Sequence, residues 1–110
     1  MVTISSPFGG QARTRVLLGL RLLDESYPRE LARVLDLPVS GVQMAVRGLE
    51  RDGLVAGRLA GRTRLIRLNP RYFAREELQQ YLLKLASADA TLQSRIAQLR
   101  RRPRAGGKPL

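Results

Sequence analysis

Three polar side chains that could contact nucleic-acid bases, Gln43, Arg47 and Arg51, are spaced by four residues along the chain. On an α-helix this spacing places them along one line of the surface. A glutamine amide can pair bidentately with the N6/N7 edge of adenine, and a guanidinium with the O6/N7 edge of guanine. The spacing therefore fits a helix that reads DNA, although surface helices of many proteins also carry arginine and glutamine.

The apolar residues of the same segment predict how this helix would be oriented. Val42, Val46 and Leu49 follow the i, i+4, i+7 spacing of a buried helical stripe. Ser40 and Gly41 lie close to the helix start, where backbone N–H groups can approach a phosphate. The face opposite the stripe is the candidate DNA-reading face, and it carries Ser40, Gly41, Gln43, Met44, Arg47 and Arg51.

A shorter helix is predicted just before this one. Pro28 suits the first helical position because it needs no partner for a missing N–H, and Glu30 suits the first turn. Pro38 ends the segment, since it lacks a donor and forces Leu37 into an extended conformation. Two short helices joined by a tight turn have the geometry of a helix-turn-helix, whose second helix enters the DNA major groove.

Two strand-like runs, 54–59 and 63–68, follow the second helix and predict a β-hairpin around Gly61. Three arginines lie close to the predicted turn: Arg58, Arg62 and Arg64. They form a second candidate contact with DNA. The alternative is a hairpin whose arginines only keep it solvated.

The rest of the sequence predicts helices on either side of this unit. A leucine-rich helix is expected after Gly10, apolar most of the way round and so central or shared with a partner. From residue 78 to residue 99 the spacing alternates between four and three, which is a heptad seam interrupted by Asp89. Its apolar members are Leu78, Leu82, Leu85, Leu92, Ile96 and Leu99.

Two interpretations of this seam stay open. Its length favours a homodimer, because one small domain would not cover it. Its first turns could instead pack on the chain's own core, and Ser87-Ala88-Asp89 could divide the segment into two helices.

The charge balance points to polyanionic partners. The 110 residues include 20 Lys and Arg against 9 Asp and Glu and no His, a net charge of +11. Such a charge favours nucleic acid or an anionic membrane surface.

Several classes of protein are disfavoured by what the sequence lacks. Without Cys or His there are no usual ligands for zinc, iron–sulfur clusters or haem, so we expect no metal and no cofactor. No phosphate-binding loop, dinucleotide fingerprint or nucleophile elbow is present, so we expect no enzyme. The longest apolar run, 16–20, is far shorter than the roughly 18 residues of a membrane span. The first ten residues do not read as a signal peptide, and the expected location is the cytoplasm.

Residues from about 8 to 85 resemble a winged helix-turn-helix transcriptional regulator of the ArsR-like or MarR-like kind. The resemblance lies in the second helix and turn (29–37), the recognition helix (42–49) and the step into the wing, Asp52-Gly53-Leu54-Val55. It implies that Gln43, Met44 and Arg47 read the major groove and that Arg62 contacts the backbone or the minor groove. Pro38 departs from the Ser or Thr that many relatives have at the helix start. The Cys and His residues of the metal-sensing branch are also missing.

The sequence as a whole predicts a mainly α protein with a small β-hairpin (α+β), a winged helix-turn-helix with a C-terminal helical extension. Its expected parts are an N-terminal arm (1–10), a DNA-binding domain (11–70), one or two C-terminal helices for dimerisation (71–101) and a disordered basic tail (102–110). The expected function is sequence-specific binding of double-stranded DNA by a homodimeric repressor that occludes a promoter. The alternatives are an architectural or adaptor protein that binds DNA non-specifically or binds another protein, and an RNA-binding protein. No effector ligand can be named from the sequence.

Overall fold

Five α-helices and one three-stranded antiparallel sheet make up the part of the chain that a computed structural model describes, residues 8–101. This confirms the predicted mixed α+β class. Most of the predicted arm (1–7 of 1–10) and the whole predicted tail (102–110) lie outside the described residues. In chain order the elements are α1 (Gln11–Leu23), β1 (Glu25–Ser26), α2 (Pro28–Leu35), α3 (Val39–Arg51), β2 (Val55–Ala60), β3 (Thr63–Leu68), α4 (Arg75–Ser87) and α5 (Ala90–Arg101).

The turn between α2 and α3 is set by two residues with special backbones. Asp36 adopts the left-handed conformation (φ 57°, ψ 51°) and ends α2. The Leu37 N–H then donates to the Ala32 carbonyl at 3.0 Å, which closes the turn. Pro38 is extended (φ −62°, ψ 144°) and immediately precedes α3. The two short helices therefore occur where the prolines predicted them.

β2 and β3 form a hairpin in which Val55 pairs with Leu68 and Ala60 with Thr63. The loop is only two residues long, and Gly61 takes its first position with φ +65°. A positive φ at this position favours glycine, because a side chain is disfavoured there. The strand β2 begins and ends one residue later than the predicted run 54–59.

The short strand β1 was not predicted. Glu25 pairs with Arg67 and Ser26 with Ile66, so the sheet has the order β1-β3-β2. In the sequence this region shows only as an interruption of the helical pattern. A strand of two residues is too short to show an alternating pattern in the sequence. It forms because it can pair with the free edge of β3.

Helix α1 lies at the centre of the core, as its apolar surface predicted. It contacts the other four helices and the strands β1 and β3. Val16, Leu17, Leu18 and Leu20 are almost completely buried. The same core includes residues of α4 and α5, so both sides of the domain boundary expected near residue 70 share one hydrophobic cluster.

The C-terminal segment is divided into two helices. α4 ends at Ser87, and the carboxylate of Asp89 accepts a hydrogen bond from the Leu92 N–H (3.0 Å) in the first turn of α5. The break lets α5 turn back and pack on α1, α2 and α4. Asp89 thus acts as a helix cap rather than as a polar position on a seam between two chains.

The side chains assigned to dimerisation lie in the chain's own core. Leu78, Leu82, Leu92 and Ile96 are buried, while Leu85 and Leu99 are partly buried against the same cluster. The apolar residues with heptad spacing pack within the chain itself, because the helix breaks after Ser87 and α5 folds back. A second copy would have to use another surface.

Candidate nucleic-acid interface

Helix α3 separates its apolar and polar faces as the sequence predicted. Val42, Val46 and Leu49 are buried. Met44 is 67% exposed, although it is a large apolar side chain. Of the remaining residues assigned to DNA, Gly41 is partly buried and the others are exposed: Ser40, Gln43, Arg47 and Arg51.

Arg47 and Arg51 differ in whether a neighbouring carboxylate lies close to the guanidinium group. Within residues 8–101 no hydrogen bond or ion pair uses the Arg47 guanidinium. The Arg51 side chain has its Nε at 3.7 Å from Oδ1 of Asp52, and it remains largely exposed. Arg47 therefore has the donors of its guanidinium free for an external acceptor, while Arg51 shares its charge with a neighbouring carboxylate.

The C-terminal end of α3 is attached to α1 through Asp52. Arg13 on α1 donates a hydrogen bond to the Asp52 carboxylate. That hydrogen bond lowers the pKa of Asp52 below its usual value, the positive charges of Arg13 and Arg51 lower it further, and partial desolvation opposes them. Gly48 leaves room for the crossing guanidinium, since a Cβ there would lie 3.3 Å from the Arg13 Cζ. This contact positions the helix that carries the candidate reading face.

The three arginines of the hairpin have different surroundings. Arg58 donates two hydrogen bonds to Glu25 on β1, from Nε and Nη2, both at 3.1 Å. Arg64 donates one to Glu50 on α3. Arg62, in the two-residue loop, is exposed and makes no ion pair or hydrogen bond with any described residue. The sequence pattern grouped the three around the turn, and the family resemblance named Arg62; of the three, Arg62 alone has all its donors free among the described residues.

The register of the hairpin explains this division. Leu59 lies opposite Arg64, so both occupy the sheet face whose arginine reaches α3. Arg58 lies opposite Leu65, on the other face. Leu59 is 73% exposed, near the tip and beyond the reach of the core. It was not among the predicted site residues, and its signal was a leucine only two residues before the turn glycine.

The N-terminus of α3 has no side-chain cap. Pro38 occupies the capping position, and no side chain within residues 8–101 makes a capping hydrogen bond there. The exposed Ser40 makes no hydrogen bond to the first backbone N–H groups. These N–H groups therefore remain available for an external acceptor such as a phosphate oxygen.

In the described part of the chain, no group of three or more His, Cys, Asp or Glu side chains is placed to hold a metal ion. Between residues 8 and 101, no helix has both the length and the apolar character needed to cross a bilayer.

Comparison with known proteins gives no assignment: no protein-family model and no curated protein matches the chain.

Proposed function

We propose that this chain is a winged helix-turn-helix protein that binds double-stranded DNA sequence-specifically and regulates transcription, acting as a repressor by promoter occlusion. In this proposal α3 is the recognition helix and the β2–β3 hairpin is the wing. The observation that carries the proposal is that the exposed Arg47, on the polar face of α3, and the exposed Arg62, at the hairpin tip, both have unused donors.

The dimensions of DNA suit this arrangement. A major groove about 12 Å wide admits an α-helix, and only there does each base pair present a distinct pattern of donors and acceptors. Arg47 would donate two hydrogen bonds to guanine, and Gln43 would pair with adenine. The uncapped N-terminus of α3 would hold a backbone phosphate.

The hairpin would supply contacts that depend little on sequence. Arg62 would neutralise a phosphate or enter the minor groove, where base pairs are poorly distinguished. Arg64 would hold the hairpin at α3 through Glu50 rather than act mainly on DNA. The net charge of +11 adds a general attraction to the polyanion.

A homodimer remains a prediction. It would suit repression at palindromic sites, because two-fold symmetry places one recognition helix at each half-site. Because the predicted seam is buried within the chain, a second copy would have to pack elsewhere. Three large apolar side chains outside α3 and the hairpin are exposed in the described residues: Phe73, Tyr81 and Leu83.

The decisive experiment is selection of bound fragments from a pool of random duplex DNA, with the selected site then compared with unrelated duplexes and with RNA. We expect a defined motif and weaker binding to RNA. Inverted repeats in the motif would support a dimer. Equal affinity for all duplexes would favour the architectural alternative, and preference for RNA or absence of duplex binding would refute the proposal.

A further inference from the structure

A polar cleft of about 350 Å³ lies at the base of the hairpin. It is bordered by the end of α1, the sheet and the start of α4. Arg58 and Arg67 reach it from the sheet face opposite to the one that carries Arg64. The cleft therefore lies on the opposite sheet face from the contact of Arg64 with Glu50 on α3, and Arg58 belongs both to it and to the candidate hairpin contact with DNA. Its charged lining consists of Arg21, Arg58, Arg67, Arg75, Asp24 and Glu25.

The positive charge of this cleft exceeds its negative charge by two. Both carboxylate oxygens of Glu25 accept hydrogen bonds from Arg58. The Nε of Arg21 donates to the backbone carbonyl of Gln79 at 3.0 Å. Neither the Arg67 nor the Arg75 guanidinium has a hydrogen bond or ion pair with any of the described residues, and the Asp24 carboxylate also has no ion pair.

The sheet register places Arg67 beside a carboxylate whose hydrogen bonds go to another arginine. Glu25 lies directly opposite Arg67 across the β1–β3 pair. The hydrogen bonds of its carboxylate, however, go to Arg58 on β2. Among the described residues the Glu25 carboxylate therefore bonds to Arg58 and makes no hydrogen bond with Arg67. Arg75, in the first turn of α4, brings a second free guanidinium to the same cleft.

We propose that Arg67 and Arg75 bind a phosphate group in this cleft. A guanidinium presents paired N–H donors that match the oxygens of a phosphate, and two of them balance its two negative charges. The volume is within the range of small-molecule sites, roughly 300–1,000 Å³, and exceeds what one phosphate fills. Leu68 and Pro70 also line the cleft and would contact the organic part of a phosphomonoester.

The same phosphate chemistry could come from a free small molecule or from a DNA backbone. The first arm of the test uses the full chain and isothermal titration calorimetry with inorganic phosphate and then pyrophosphate, at constant ionic strength set with chloride. We expect saturable binding that weakens at least tenfold in Arg67→Gln and in Arg75→Gln. Arg33→Gln is the matched control, since Arg33 is exposed on α2 and lies outside the cleft.

The second arm measures affinity for duplex DNA with the same two variants and with Lys84→Gln, a charge-matched control on α4. If free phosphate does not bind but both cleft variants lose at least fivefold more duplex affinity than the control, the bound phosphate belongs to DNA. Equal effects in cleft and control variants, or no effect in either arm, would overturn the proposal. Because all four substitutions are at exposed positions, circular dichroism should show folded variants. If the wild-type chain does not bind duplex DNA at all, the proposed function is refuted. The calorimetry with phosphate and pyrophosphate then tests the cleft proposal by itself.

Discussion

The guanidinium of Arg64 on β3 donates a hydrogen bond to the carboxylate of Glu50 in the last turn of α3. This contact joins the hairpin to the helix whose outer face we propose to read DNA. It also partly neutralises Arg64, which the sequence alone presented as a free DNA contact. Of the three hairpin arginines assigned to DNA, Arg62, at the tip, is the one whose charge is unused among the described residues.

Replacing Arg62 by alanine should weaken binding to all duplexes to a similar extent, because a phosphate contact carries no sequence information. The slope of log K against log salt concentration should become less steep by about 0.9, the value for one phosphate contact. Fluorescence anisotropy at several salt concentrations measures both quantities. Lys84→Ala, on a helix that packs on α1 and α5, is the control. A loss confined to one DNA sequence would show that Arg62 reads bases.

Replacing Arg47 by alanine should act differently. We expect a loss of about 1–3 kcal/mol on the selected duplex and relaxed preference at one base pair, because a bidentate contact to guanine is removed. Competition binding with single-base variants of the site measures this. The assignment fails if Arg47→Ala lowers the affinity for every duplex equally.

Met44 should make binding sensitive to thymine methyl groups. It is an exposed apolar side chain on the proposed reading face, and apolar contact with the thymine methyl is a known mode of base recognition. Replacing the contacted thymine by uracil removes one methyl group and should lower affinity about fourfold, or about 0.8 kcal/mol. The Met44→Ala variant should bind both duplexes equally. A wild-type protein indifferent to uracil at every thymine position would exclude this contact.

Replacing Leu92 by alanine should lower stability without changing the mass of the particle in solution. Leu92 is 4% exposed and packs in the chain's own core, where truncation to alanine costs about 2–5 kcal/mol. Urea denaturation measures the free energy of unfolding, and light scattering measures the mass. Ser94→Ala, at an exposed position of the same helix, should change neither. A lower mass with unchanged stability would instead place Leu92 between two copies.

Asp52 should make stability depend on pH in the acidic range. The hydrogen bond from Arg13 holds the pKa of this carboxyl in the folded protein below its usual value of 3.8. The unfolded chain therefore binds a proton first, and the contribution of Asp52, complete well above pH 3.8, is lost as pH falls through and below that value. Thermal melts between pH 6 and pH 2 should show a smaller acid-induced decrease in Tm for Asp52→Asn than for wild type. Glu76→Gln, at an exposed position, should follow the wild-type curve.

Local features of the sequence determined the elements and the two faces of α3. Pro28 and Pro38 fixed the starts of α2 and α3, and Gly61 fixed the hairpin turn, because each restricts or permits backbone angles within its own few residues. The spacing of the apolar residues in α3 sufficed to assign its buried stripe, since the same face of a helix recurs every three or four residues. The exposed positions of Gln43 and Arg47 could therefore be predicted before any contact was known.

Only the tertiary structure decided which charged side chains are already paired. Arg58 meets Glu25 from 33 residues away, and Arg64 meets Glu50 from 14 residues away, so no local pattern distinguishes them from Arg62. Likewise, the heptad spacing after residue 78 fits pairing with another copy as well as packing on the chain itself, and the break before Asp89 selects the second. The reason is physical: periodicity specifies which face of a helix is apolar, but what covers that face depends on where the chain folds back.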